Sequence, residues 1–161
     1  MVKREAAMEQ YWHWFCAQLF SDPGLERRLL NRFGTPETIF KVKEEELLKS
    51  FPGNQGRLSA LCAGRKKWDF SRETERLARL DIQFVSICHP DYPARLKRIG
   101  DAPCGLFYRG LLPSDALPSV AVVGARSCSA YGRNVCLWFA EELAARNVQI
   151  ISGMARGIDG I

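Results

Sequence analysis

Two short loops rich in glycine, serine and arginine carry the residues of this sequence that are best suited to chemistry. The first loop, V-V-G-A-R-S-C-S-A-Y-G, spans residues 122–132, and the second loop, I-S-G-M-A-R-G-I-D, spans residues 151–159. Each loop follows a short apolar run. Glycine lets the backbone turn sharply or come close to a ligand, serine hydroxyls and free amides donate hydrogen bonds, and arginine is a fixed positive fork for phosphate. The two loops therefore predict a phosphate-binding site.

Each position in the loops has an expected role. Gly124 lets the chain turn out of a strand, Arg126 supplies a positive fork for phosphate, and Arg156 repeats the arrangement in the second loop. Asp159 lies in the first turn of a following helix, where it either caps amides or orients Arg156. The anion is either a nucleotide or a nucleic-acid backbone. The predicted site comprises Gly124, Arg126, Ser127, Ser129, Tyr131, Gly132, Ser152, Gly153, Arg156, Gly157 and Asp159.

Several enzyme classes fit the sequence poorly. A dinucleotide-binding G-x-G-x-x-G is absent, because Gly124 and Gly132 are eight positions apart, and Ser152-Gly153 replaces the acid that would hold a ribose. The G-x-x-x-x-G-K-[ST] motif of ATP-hydrolysing proteins is also absent. With only two histidines, no nucleophile–base pair can be assembled, and no two of the six cysteines have C-x-x-C spacing. We expect no catalytic residue, no metal and no cofactor.

The lengths of the apolar runs and the N-terminal residues predict a protein of the cytoplasm. Of the 161 residues, 47% are hydrophobic, but no apolar run is long enough to cross a bilayer. Glu5 and Glu9 interrupt the stretch that would be apolar in a signal peptide. The net charge of +5 permits nucleic-acid binding without requiring it. His13 stands between two tryptophans in an aromatic helix, which favours packing over catalysis.

Strand, helix and strand patterns surround the two loops. Residues 119–123 and 148–151 read as strands, and residues 130–146 read as a helix with one apolar face. This order predicts a parallel, right-handed β-α-β unit. Residues 82–88 and 105–108 are further strand candidates. Because two parallel strands cannot bury themselves, we expect the sequence to be the N-terminal part of a longer protein.

The first 80 residues read as short helices that form a separate domain, 1–80, followed by a second domain, 81–161. Thr35 is expected to cap a helix that starts at Pro36, and Ser71 to cap the last helix of this domain. Turns at 22–24 and 51–53 each join two helices. This layout is similar to tandem helix-hairpin-helix elements, whose turn amides can hold a DNA phosphate. A plain helical bundle explains the same pattern. Together, these helices and the parallel strands predicted after them indicate the α/β fold class.

Four segments in order give the chain a family resemblance. D-Y-P-A-R-L, D-A-P-C-G-L-F-Y-R-G, V-V-G-A-R-S-C-S-A-Y-G and S-G-M-A-R-G-I-D resemble the DNA processing protein A (Smf) family from about residue 82 to residue 161. The resemblance implies a helical SAM-like domain followed by an extended Rossmann domain, of which the sequence holds only the first part. Ala125 stands where threonine or serine is common in the family.

The resemblance also implies a function. Members of this family are usually described as proteins that are not enzymes. They bind and protect single-stranded DNA and help load the RecA recombinase during natural transformation, as homodimers in the full-length protein. Arg126 becomes the prime DNA-phosphate ligand, with Gly124, Ser127, Ser129 and the 152–157 loop around it. The alternatives are a nucleotide-processing enzyme on a related Rossmann fold, similar to phosphoribohydrolases, and the product of an interrupted gene.

Overall fold

The computed structural model describes residues 2–20 and 22–161, which form two compact units. The N-terminal unit is Met1–Leu112 and the C-terminal unit is Pro113–Ile161. Helices and a few short strands occur together, and this confirms the α/β class.

Six helices make up most of the N-terminal unit. They are α1 (Val2–Leu19), α2 (Pro23–Phe33), α3 (Pro36–Lys41), α4 (Glu44–Ser50), α5 (Gln55–Lys67) and α6 (Phe70–Arg79), with a short 3-10 helix at Pro52–Asn54. The predicted cap of α3 is confirmed, since Thr35 Oγ1 accepts a hydrogen bond from the Thr38 amide at 3.2 Å. The predicted cap of α6 is wrong. Asp69, not Ser71, accepts from the Arg72 amide, because the helix already starts at Phe70, one residue before Ser71.

Helix α1 supplies the centre of the hydrophobic core. Trp14 and Phe15 are fully buried and pack with leucines of α2, α4 and α5. His13 is buried among three aromatic rings, those of Trp68, Phe84 and Phe107. The packing role predicted for this histidine is confirmed.

A β-hairpin completes the N-terminal unit. Strands β1 (Gln83–Ser86) and β2 (Gly105–Tyr108) pair antiparallel, with the short helix α7 (Ala94–Lys97) between them. The hairpin is bound to α1, because both the amide and the hydroxyl of the fully buried Ser86 donate to the carboxylate of Glu9. These strands form a sheet of their own and do not extend the parallel pair. The compact units consequently divide after residue 112, whereas the sequence suggested a boundary at 80.

The C-terminal unit contains the predicted β-α-β arrangement. Strands β3 (Ser119–Ala121) and β4 (Gln149–Ile151) pair in parallel, and α8 (Ala130–Ala144) connects them. All of the described residues that are buried lie in the N-terminal unit. The apolar side chains of Val120, Trp138 and Ile151 are exposed. The apolar side chains that this unit does cover, such as those of Val122, Leu143 and Ile150, are only half-buried.

Candidate phosphate-binding site

The first and second loops lie against each other at the carboxyl ends of β3 and β4. The Ile158 amide donates to the Ala125 carbonyl at 3.2 Å. Gly157 has a positive φ of 96°, and a Cβ atom placed there would be 2.1 Å from the Ala125 oxygen. Only glycine can occupy this position without displacing the backbone of the first loop. The glycine at position 157 therefore allows the backbones of the two loops to come into direct contact.

Gly124 lies in a close contact with the second loop. The backbone φ of Gly124 is not positive. A Cβ atom at Gly124 would instead be 2.7 Å from Cγ1 of Ile158. Ile158 also contacts α8, where its carbonyl accepts a hydrogen bond from the Cys136 thiol at 3.7 Å. The close approach of this isoleucine is what excludes a side chain at Gly124.

Asp159 joins the two loops through its side chain. Its Oδ1 accepts a hydrogen bond from the Gly124 amide at 3.1 Å, and its backbone carbonyl accepts one from the Ser152 hydroxyl at 2.8 Å. Of the two roles expected for Asp159, the structure shows amide capping. The helix in which the residue lies is a short 3-10 helix, Ile158–Gly160.

Ser129 organises the end of the first loop. It is the N-cap of α8, and its Oγ accepts a hydrogen bond from the Gly132 amide at 3.1 Å. This bond satisfies one of the four amides that a helix leaves unpaired at its start. Ser129 and Gly132 therefore belong to the scaffold that orients the first loop toward α8.

The remaining predicted site residues point outward from this scaffold. Arg126, Ser127 and Arg156 are exposed. Among the side chains that the structure describes, those of residues 8–20 and 22–161, none forms a hydrogen bond or ion pair with the guanidinium group of Arg126 or Arg156. Tyr131, which lies in the first loop together with Arg126, is 79% exposed. Gly153 is exposed in the second loop. The two arginines are thus free to bind an anion from solution.

Two residues of the site were not predicted. Ile158 is the apolar contact that spaces the loops, and its position between Gly157 and Asp159 was the available signal. Met154 has a positive φ of 54° and is 81% exposed in the second loop. A non-glycine residue with positive φ is uncommon, and Asp81 and Asn147 are the other such residues among those described.

The described part of the chain contains no cluster of three or more histidine, cysteine or acidic side chains that could hold a metal ion. Its helices are also too short or too polar to cross a membrane.

A comparison with known proteins finds similarity over the part of the chain that contains the two loops. The fold defines an α/β protein with paired glycine-rich loops at the ends of two parallel strands. The family model for DNA recombination-mediator protein A matches residues 83–161. Residues 83–161 of this chain are therefore similar to the DNA recombination-mediator protein A family, and relatives of the chain are called Smf and DprA.

Individual relatives show the same similarity. "Protein Smf" of Escherichia coli (strain K12) is 46% identical over 125 residues, which cover 78% of this chain and 30% of the relative. "DNA processing protein DprA" of Streptococcus pneumoniae is 45% identical over 74 residues, covering 46% of this chain and 26% of the relative. The corresponding protein of Bacillus subtilis is 36% identical over 83 residues, covering 50% and 27%. The chain thus spans less than a third of the length of these relatives.

Proposed function

We propose that this chain carries part of the single-stranded-DNA-binding surface of a recombination mediator. In this proposal the protein protects incoming DNA and helps load a RecA recombinase during natural transformation, in the cytoplasm and without catalysing a reaction. The observation that carries it is the pair of exposed arginines, Arg126 and Arg156, on two loops that are locked together at the ends of β3 and β4. The relatives' names, which refer to DNA processing, supply the substrate class.

The chemistry of the loops suits a nucleic-acid backbone. Arginine binds phosphate in a forked, charge-assisted geometry that does not depend on base identity. Backbone contacts between the loops hold Arg126 close to the second loop, so little ordering is needed on binding. The exposed Tyr131 offers an aromatic face on which a base can stack. Phosphate contact plus stacking is the usual basis of binding to single strands without sequence preference.

The role of each predicted site residue is refined accordingly. We propose that Arg126, Arg156, Ser127 and Tyr131 contact the DNA. Gly153 allows a phosphate to come close to the second-loop backbone. The scaffold that supports these contacts consists of Gly124, Ser129, Gly132, Ser152, Gly157 and Asp159.

The two domains are also part of the proposal. We propose a helix-hairpin-helix, SAM-like domain over residues 1–80 and a Rossmann-like DNA-binding domain from residue 81, close to residue 83 where the family model begins. The two helix-joining turns lie side by side, since Arg28 donates to Asn54 at 3.1 Å and Arg57 lies 3.7 Å from Asp22. A homodimer is the proposed state of the full-length protein.

A length series of oligonucleotides tests the proposed function. Binding of thymidine mononucleotide, then of oligo-dT up to about 20 nucleotides, is measured by fluorescence anisotropy without added metal. The proposal expects affinity to increase over several nucleotides, because phosphate and stacking contacts add along a strand. It also expects no new product when the incubated DNA is separated by chromatography.

The enzyme alternative gives opposite results in the same experiment. A site for one nucleotide is saturated by the mononucleotide, and further nucleotides add little. A phosphoribohydrolase would in addition release free base. Tight mononucleotide binding with release of free base would move the protein into the enzyme class. Failure to bind either the mononucleotide or any oligonucleotide would reject both functions.

A further inference from the structure

We infer that Asp159 is a positioning residue whose hydrogen bond to the first loop sets the geometry of the DNA-phosphate site, while its negative charge opposes binding. This inference rests on the proposed function and deepens it. It assigns Asp159 to the support of the site and removes it from the set of residues that touch DNA. Its consequence is that charge and hydrogen bonding at this one position act on DNA affinity in opposite directions.

The contacts of Asp159 cross from one loop to the other. Oδ1 accepts from the Gly124 amide in the first loop at 3.1 Å, and the Asp159 carbonyl accepts from the Ser152 hydroxyl in the second loop at 2.8 Å. The other carboxylate oxygen, Oδ2, would be 3.2 Å from a Cβ atom at Gly153. The side chain thus lies in contact with both loops.

The geometry also explains why a carboxylate is tolerated near a phosphate site. An aspartate cannot accept a hydrogen bond from a phosphate oxygen that carries no proton, and two negative charges repel each other. Asp159 is half-buried, and Oδ1 is directed to a backbone amide. The charge-assisted hydrogen bond to Gly124 compensates for the unfavourable charge by ordering the backbone just before Arg126.

Two substitutions at Asp159 separate these effects. Asp159→Asn keeps an oxygen that can accept from the Gly124 amide but removes the charge. Asp159→Ala removes both. At matched charge, the alanine variant should bind oligo-dT about tenfold more weakly than the asparagine variant, since it alone loses the hydrogen bond. The asparagine variant should bind about two- to fivefold more tightly than wild type at low salt.

Hydrogen exchange and a charge control complete the test. The Gly124 amide should exchange at least about tenfold faster in Asp159→Ala than in wild type, and Asp159→Asn should restore most of the protection. Glu141→Gln removes the same charge from an exposed position near the end of α8 that is far from the loops. It should change neither Gly124 exchange nor DNA affinity by more than about twofold.

The outcomes distinguish this inference from the proposed function. If wild type does not bind DNA, the proposed function fails, while the exchange of the Gly124 amide still reports whether Asp159 holds the first loop. If wild type binds DNA and the two Asp159 variants bind equally well, the positioning role is overturned. Unchanged exchange of the Gly124 amide in Asp159→Ala would overturn it as well.

Discussion

Replacing Gly157 by alanine should separate the two loops and weaken DNA binding. The new Cβ atom would be 2.1 Å from the Ala125 oxygen and 2.6 Å from Cα of Arg126. Neither neighbour is a flexible side-chain end, so the backbone itself has to move. The φ of 96° adds strain of about 1–2 kcal/mol for a residue with a Cβ atom.

The expected loss follows from these two contributions. Overpacking against backbone adds about 1–3 kcal/mol to the strain, for a total of about 2–5 kcal/mol against the closed arrangement of the loops. Since about 1.4 kcal/mol corresponds to a factor of ten, affinity for oligo-dT should fall at least about tenfold. The assay is fluorescence anisotropy, with circular dichroism to show that the helices are intact.

Gly56 provides the matched control for Gly157. It lies in α5, and a Cβ atom there would meet nothing within 4 Å. Gly56→Ala should therefore leave DNA affinity unchanged and stabilise the helix slightly. If folded Gly157→Ala protein binds DNA within about twofold of wild type, contact between the loops is not what forms the site, and the reasoning is refuted.

Two further predictions concern stability. Burial raises the pKa of Glu26 to about 7 from 4.5, against hydrogen bonds with the Cys104 and Cys16 thiols that lower it. The folded state therefore keeps a proton that the unfolded state releases, and stability should fall by about 2–3 kcal/mol between pH 4.5 and 7. Urea unfolding should show a flatter pH profile for Glu26→Gln, whereas the exposed Glu45→Gln should keep the wild-type slope; equal slopes in all three would contradict the argument. Amides of α1 should also exchange more slowly than those of α8, because the buried residues lie in the N-terminal unit. Equally slow exchange in both would show that the C-terminal unit is as stable as the N-terminal one.

Local patterns in the sequence predicted most of the elements. The Thr35-Pro36 start of α3 and the helix predicted over residues 130–146, which is α8, agree with the structure because each depends on neighbours within a few turns. The parallel pairing of β3 and β4 also followed from the intervening helix. The Ser71 cap failed because Asp69, two positions earlier, is an equally good capping residue.

Pairing between distant segments was less predictable. The sequence identified β1 and β2 as strands but not their antiparallel pairing, which depends on packing against α1 and on the bond between Ser86 and Glu9. In the candidate site, residue types pointed to the two loops and to Arg126. They could not show that Gly157 contacts the Ala125 carbonyl or that Asp159 binds the Gly124 amide, since both contacts depend on the three-dimensional approach of the loops.

The most direct test of the central claim compares two arginines of equal charge at opposite ends of α8. Arg126 precedes the helix and has no partner among the described residues, whereas Arg146 follows it and is ion-paired with Glu142. Oligo-dT binding is measured across a series of salt concentrations for wild type, Arg126→Ala and Arg146→Ala. We predict that Arg126→Ala weakens binding by about 1–3 kcal/mol and lowers the salt dependence by about one phosphate contact, equally for oligo-dT and mixed sequences. Arg146→Ala should match wild type, and an equal effect of both substitutions, or none from Arg126→Ala in folded protein, would contradict a DNA-phosphate site at these loops.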